Sequence, residues 1–312
     1  MNNFLKILSF IFSFFLYLQS EENSTFNFLN SDINARAVAI GGGILTTRND
    51  VSSMFYNPAT LNTILKPQAS FGFQKHLLDI YSAYGCYGEE IKNFGFVGVG
   101  FIIFNYGDFS KTDNQGIKTG VFSANDLVLN LSYANKLNDN ISLGTNLKFV
   151  NSSIENYSSS AIALDLGVLY SLDNKRIFFA TVASNYGIQL SKFVNTKETL
   201  PSQIKFSASY RPEKLPANIQ IILYDLTKFN PKNFSIGSEF KFAEYLRARI
   251  GFNNKKREDL NISSGIGIAG FNYGFGIVYD EYSIDFAQSS LGSIGNLTLI
   301  NIGIKLEENI LF

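Results

Sequence analysis

The sequence predicts an all-β fold: a transmembrane antiparallel β-barrel of about 14 strands, with an N-terminal plug, or hatch, inside its lumen. Three observations predict it. From residue 67 onward the chain is a succession of short segments in which apolar and polar side chains alternate. Charged residues make up only 17% of the chain and aromatics 15%. An ordinary globular domain carries about 25% charged residues, so much of this surface faces something other than water. The third observation is an N-terminus laid out as an export signal.

In that N-terminus one cation, Lys6, precedes a mostly apolar run from Ile7 to Leu18, which ends at Gln19-Ser20 before Glu21-Glu22. This is the charged, apolar and small-residue order of a secretory signal peptide, assigned to residues 1–20. The run is shorter than the roughly 17–25 apolar residues a spanning helix needs. No other stretch approaches that length, so a chain that spans a membrane must do so with strands. The expected location is the outer membrane of a Gram-negative-type bacterium, with lipid as the first partner. Lys and Arg number 26 against 26 Asp and Glu, so no electrostatic footprint for nucleic acid is present. The single cysteine, Cys86, leaves no internal disulfide framework.

Residues 21–66 do not alternate. Ala35 to Ile40 reads as a short helical turn or strand, stopped by Gly41-Gly42-Gly43. Asn49 to Tyr56 reads as a short helix capped by Asn49 or Asp50, which Asn57-Pro58-Ala59 then breaks. A compact, partly helical segment ahead of a barrel can bury Val38, Ile40, Met54 and Phe55 in the lumen. The alternative is a periplasmic extension.

Residues 67–312 form the expected barrel. In Ile141–Phe149 the residues Leu143, Thr145, Leu147 and Phe149 lie on one face and Gly144, Asn146 and Lys148 on the other. The same pattern recurs over 127–133, 162–170, 204–210, 246–252 and 300–306. Two Gly-rich segments carry Ile266 and Ile268, then Tyr273, Phe275, Ile277 and Tyr279. Turns are expected at Asn138-Asp139-Asn140, Asp173-Asn174-Lys175, Asn253-Asn254 and Asp280-Glu281. A soluble β-sandwich would bury the apolar face in a core, whereas a transmembrane barrel turns it to lipid and fills its lumen with polar and small groups. A polar face rich in Gly, Ser and Asn favours the barrel. So do the aromatics Tyr133, Phe149, Tyr170, Tyr210, Phe252 and Tyr279, placed at strand ends as girdles. At roughly 9–11 residues per strand plus turns, the segment holds about 12 to 14 strands.

The stretch NARAVAIGGGILTTRNDVSSMFYNPATL resembles the N-terminal hatch of the fatty-acid-transporter-like outer-membrane barrels and their PorV/PorQ relatives. The motif is carried here by Ala35-Arg36-Ala37, Gly41-Gly42-Gly43 and Asn57-Pro58-Ala59. Arg48-Asn49-Asp50 departs from it where relatives are more acidic. Phe26 to Asn30, Tyr106–Leu137 and Ile141–Tyr170 are more similar to the PorQ branch of the type IX secretion system. That resemblance implies a non-enzymatic scaffold that anchors a surface protein of a cargo-attachment complex. The broader superfamily implies instead a channel for hydrophobic small molecules. Outer-membrane barrels, which the chain resembles in its terminal Phe312, carry that residue as a signal to the barrel assembly machinery.

Chemistry is sparse. His76 is the only histidine, so no multi-imidazole metal site can form and a Ser-His-Asp triad would have to use this residue. We read it as a solvated loop residue. Gly41-Gly42-Gly43 lacks the Lys-Ser/Thr of a phosphate loop. Arg247 and Arg249 share a face that would be lumenal, where they could bind an anion or pair with Asp165 or Glu239. No catalytic residue, metal or cofactor is expected.

Overall fold

A computed structural model of the chain describes residues 24–172, 175–195, 197–260 and 267–307. The proposed signal over 1–20 and Phe312 lie outside the described residues. Fourteen antiparallel strands form a closed barrel: β1 (Gln68–Lys75), β2 (Tyr81–Ile91), β3 (Gly95–Thr112), β4 (Lys118–Lys136), β5 (Ile141–Ile154), β6 (Tyr157–Ser171), β7 (Ile177–Ser191), β8 (Gln203–Tyr210), β9 (Ala217–Leu223), β10 (Phe234–Lys241), β11 (Leu246–Asn253), β12 (Phe271–Tyr279), β13 (Tyr282–Ser290) and β14 (Asn296–Lys305). Each strand pairs with its chain neighbours. The first and last close the ring in a register running from Gln68 opposite Lys305 to Lys75 opposite Thr298.

The alternation has the expected sense. On β4, Leu129 and Leu131 are 47% and 50% exposed, while Val128, Asn130 and Ser132 between and beside them are buried. The outward row continues around the wall through Leu147, Ile221, Ile250, Phe275, Ile284 and Ile302. Asn146, Asp165, Ser207, Gln220, Arg249, Asn272 and Asn301 point inward and are buried. An apolar exterior over a polar interior inverts a soluble protein and matches a wall immersed in hydrocarbon.

The barrel has a near end, where Leu306 N–H donates to Pro67 O and short turns join β2 to β3, β4 to β5 and β12 to β13. Its far end carries the longer connections. The wall is uneven: β3 to β7 span 14–19 residues and β8 to β11 only 7 or 8, so one side stands taller at the far end. Aromatic pairs gather toward both ends, including Phe94–Tyr133 near and Phe73–Tyr81 and Phe252–Phe271 far. Phe149 is a correction: it lies inside β5, opposite Leu129 and Ile162, not at an end. Ile268 is another. It sits exposed in the turn before β12 and belongs to no strand; Ile266 is outside the described residues. Asn253-Asn254 does not make a tight turn either, because Asn253 caps a short far-end helix, Asn254–Asp259, by accepting from Lys256 N–H.

Residues 24–66 lie within the ring. A 3₁₀ turn (Thr25–Asn30) leads to helix α1 (Ala35–Ala39), and two further 3₁₀ turns follow (Val51–Phe55 and Pro58–Thr63). Ser24, Asn34, Asp50 and Asn57 cap these four pieces in turn, each with a side-chain oxygen accepting a backbone N–H that has no partner in its own short helix. Asn57-Pro58 thus starts a turn rather than only ending one, with proline at the position where its missing donor costs nothing. Helix α1 packs against β11 to β14, the Val51 turn against β1 and β2, and the Pro58 turn against β3 to β6. Through these elements the hatch touches ten of the fourteen strands.

Glycines on the inward face set how close the two can come. A Cβ at Gly167 would lie 2.1 Å from Asn57 Oδ1, and one at Gly144 2.4 Å from Ala59 N. Across the ring, Gly237 and Gly251 would meet the Ile40 and Gly41 backbone at 2.1 and 2.2 Å. Small lumenal residues therefore let backbone approach backbone. Gly167→Val should destabilise the assembly by about 1–3 kcal/mol, as overpacking does, and should free residues 24–66 to limited proteolysis. Gly120→Val, on β4 where nothing lies within 4 Å, should change neither the proteolysis pattern nor the temperature of heat-modified gel mobility.

Candidate functional site: the hatch and the chambers it separates

Arg36 on α1 joins hatch to wall. Its Nη1 reaches Asp50 Oδ2 at 3.1 Å, and its Nε and Nη2 grip Glu239 at 2.9 and 2.8 Å in a two-point pair. Glu239 on β10 also accepts from Nε of Arg249, its register partner on β11, at 2.6 Å. Arg249 Nη1 then reaches Asp285 on β13 at 2.5 Å. It passes over Gly276 of β12, where a Cβ would collide with both Asp285 and Arg249. Burial works against the Arg36 charge, but Glu239 and Asp50 outweigh it and raise its pKa above the ordinary guanidinium range. Arg36 is ionised at every relevant pH.

Arg247 and Arg249 do not form one anion site. Arg249 is spent on Glu239 and Asp285. Arg247 Nη1 donates to the carbonyls of Ala243, Glu244 and Leu246 and braces the near-end turn. Asp165 pairs with neither. It holds Lys148 at 2.6 Å in a second polar cluster across the lumen. There Asn146 Nδ2 bridges Asp165 and the Met54 carbonyl of the hatch, both at 3.0 Å. Asn185, with φ +62 at a bulge in β7, turns inward. It accepts from Lys148 at 2.9 Å and donates to Asn30 at 3.0 Å.

The hatch motif residues serve this fit. Ala35 and Ala59 are fully buried, small enough for the wall to close on them. Gly41 and Gly42 have φ of +94 and +99, backbone that a Cβ would strain. Their carbonyls accept from Asn253 and Tyr224, and that of Gly43 accepts from Gln220. Asn57 Nδ2 donates to Leu45 O at 2.8 Å while its Oδ1 caps the next turn. Asp285, Lys148 and Asn185 were not singled out from the sequence. Each is one lumenal residue among many, and only the ring closure brings it to its partner.

Among the described residues, the gaps between hatch and wall include four lined by both. One cavity of about 40 Å³ lies under the first 3₁₀ turn, with Phe28, Ile33, Phe55, Ile102, Phe104 and Val128 on its apolar side and Asp32, Tyr56, Lys148 and Lys205 on its polar side. It adjoins a far-end chamber of about 350 Å³ that shares Asp32 and Lys205 and adds His76, Asp225, Lys255 and Lys256. Burial raises the pKa of Asp32 against the opposing pull of Lys256 and Lys205. His76 is half-buried, a correction to its reading as solvated: Nε2 lies 3.0 Å from Ser82 Oγ and the ring 6.1 Å from that of Phe104. Burial and the Lys256 charge both lower its pKa. At the near end a chamber of about 240 Å³ lies beside Arg36 and one of about 640 Å³ beside Phe178 and Arg211, and Arg48 lines both. Among the described residues no three of His, Cys, Asp and Glu are grouped to hold a metal.

No family model and no curated protein matches the sequence. Solved structures do match. The chain is similar to a FadL homologue of Pseudomonas aeruginosa, with a TM-score of 0.58 at 11% identity, over 88% of this chain and 98% of that one. It is similar to the toluene transporter TbuX of Ralstonia pickettii (0.59, 13%, 90% and 98%). It is also similar to the toluene transporter TodX of Pseudomonas putida (0.53, 12%, 88% and 97%). At such identities the likeness concerns the fold alone, that of a closed outer-membrane-type β-barrel.

Removing one member of a buried ionic network strands the others. Arg249→Met leaves Glu239 with Arg36 alone and Asp285 without a cation, and should cost about 3–5 kcal/mol. Arg247→Met removes only contacts to turn carbonyls and should cost about 1 kcal/mol. Urea midpoints of the purified protein in detergent would rank the two; equal losses would mean the network carries no special weight.

Proposed function

We propose that the chain is an integral outer-membrane channel for small hydrophobic or amphiphilic molecules, described here with its hatch closed. The observation that carries this reading is the cavity between the Thr25–Asn30 turn and the β3–β4 wall, apolar on its Phe28, Phe104 and Val128 side and polar at Asp32 and Lys205, which continues into a far-end chamber lined by three lysines and three aspartates. Phe28, Phe104 and Val128 offer an apolar body a dry contact, and Lys205 offers a charge at the boundary. Two neighbours in fold are toluene transporters by name, which supports the same substrate class. The reading includes export by residues 1–20, a hatch over 21–66, a barrel over 67–312, and insertion by the assembly machinery through Phe312.

At about 40 Å³ the cavity has room for only a few water molecules, at roughly 10–15 Å³ of such volume apiece. A ligand therefore enters only as the first turn withdraws. That turn is tethered by Thr25, whose N–H and Oγ1 both donate to Glu198 at 2.6 Å, and by the Asn30–Asn185 contact. Glu198 sits in the connection between β7 and β8, at the far mouth. Opening thus couples an outward-facing loop to the cavity beneath it.

A second reading is favoured by how tightly the hatch is seated. Backbone contact at Gly144, Gly237 and Gly251, and the Asn57 side chain seated on Gly167, suit a barrel that conducts nothing and anchors a surface protein, as the PorQ resemblance implies. Equilibrium dialysis of the purified protein against a labelled monoaromatic hydrocarbon and a long-chain carboxylate separates the two. Saturable binding weakened at least tenfold by Phe28→Asp is expected for the channel. No saturable binding, together with a secretion-system protein that co-purifies from outer membranes, would replace the channel with the scaffold.

A further inference from the structure

The largest gap of the four, at the near end, is lined by four cations (Arg48, Lys136, Lys175 and Arg211) against two carboxylates, Glu90 and Asp139. Arg48, from the hatch, lies with its guanidinium carbon 4.0 Å from the Phe178 ring centroid. Arg211, from the connection between β8 and β9, reaches the same ring at 6.0 Å. An aromatic face can hold a guanidinium in place, but it leaves the N–H donors unspent. Neither arginine forms an ion pair among the described residues, and the buried Nε of Arg48 has no hydrogen-bond partner. Asn62, from the Pro58–Thr63 turn, lines the same cavity and is only 3% exposed, yet both its Nδ2 and its Oδ1 are unpartnered. Buried polar groups are almost always satisfied, so an orphaned donor and acceptor beside two unpaired guanidiniums call for one ligand that supplies both.

We propose that this near-end cavity is a binding site for a phosphate-type oxyanion, held by Arg48 and Arg211 with Asn62 as the third contact. A tetrahedral monohydrogen phosphate presents acceptor oxygens to two guanidiniums and to Asn62 Nδ2. Its hydroxyl can donate to Asn62 Oδ1. A carboxylate can satisfy the arginines but has no donor for the amide oxygen, so the phosphoryl group is the better fit. Burial and the neighbouring Arg211 push the Arg48 pKa down to about 10, which agrees with a cationic site awaiting its counter-charge. The chemistry fits free phosphate and a phosphoryl lipid headgroup alike. The site does not depend on what passes through the lumen.

Titration calorimetry on the full-length protein in a non-ionic detergent tests this with two probes, inorganic phosphate and dihexanoyl phosphatidic acid. Saturable binding of either supports the site and identifies its source, provided Arg211→Gln weakens it at least tenfold. Arg211 is exposed on a turn, so that variant should fold. Arg176→Gln, which removes a cation already paired with Glu213 on the neighbouring turns, should bind as the parent does. Binding of neither probe at 10 mM, set about tenfold above a millimolar Kd, overturns the proposal. So does binding that Arg211→Gln and Arg176→Gln weaken equally, since that would mark a diffuse surface charge.

Discussion

Closure of the sheet is the constraint from which the rest follows. In hydrocarbon each backbone N–H and C=O must find a protein partner, and only a ring of strands gives every strand two neighbours. The register of β14 on β1 supplies the last of those ladders. Once the ring exists, side chains have two places to go. Those facing out meet lipid, which explains a surface with exposed Leu131, Ile250 and Phe275. Those facing in are cut off from bulk water, so each polar group there needs a partner inside the barrel.

The hatch answers that need. Its 3₁₀ turns and short helix bring many unpaired backbone groups into the lumen, where the wall meets them with Asn146, Gln220, Tyr224 and Asn253. The charged part of the fit is more demanding. Arg36, Asp50, Glu239, Arg249 and Asp285 hold three carboxylates against two guanidiniums, with bonds that run from the hatch through β10 and β11 to β13. Desolvating these charges is costly, and the pairing offsets it only when the geometry is met. Such a network contributes less to stability than to specifying where the hatch sits. Gly276 shows the same economy: its missing side chain is what allows Arg249 to cross β12.

Much of the wall was legible in the sequence because period-2 alternation acts at short range. Leu143 to Phe149 and Tyr273 to Tyr279 declare their faces without any knowledge of their neighbours. The lumen was less legible. Glu239 could be named beside Arg249, but Asp165 could be named equally well, and only register decides between them: Glu239 lies opposite Arg249 while Asp165 lies opposite Asn146. Asn185 looked like any strand residue until its positive φ turned it inward. Ile268 was misread because alternation among glycines says little when no partner strand is present to hold the segment flat. The resemblance in the hatch marked Asn57-Pro58-Ala59 as important, while its role as a cap pressed against Gly144 and Gly167 required the wall.

The two sets of tethers also fix the order in which a channel of this build could open. The first turn hangs on Glu198 and Asn185 at the far mouth, where Glu198 is only partly covered, so water can replace the two Glu198 bonds as they break, while Asn185 is itself buried. The Arg36 network lies at the other end of the hatch, where Arg249 is 3% exposed at its side chain and its partners Glu239 and Asp285 14%, so the bonds around Arg249 have little such substitute. Breaking the two Glu198 bonds exchanges one hydrogen bond to a carboxylate for another, a net change of about 1.5–3 kcal/mol apiece. Breaking the second set leaves charges buried and alone, at several kcal/mol each. Withdrawal of the Thr25–Asn30 turn therefore precedes any release of α1, and a ligand small enough to lodge beside Phe28 and Phe104 gains entry without disturbing the anchor at Arg36. The glycine-lined seats of Asn57 and the Gly41 backbone would stay filled throughout, so that a tightly fitted hatch is compatible with the proposed entry of a small apolar molecule.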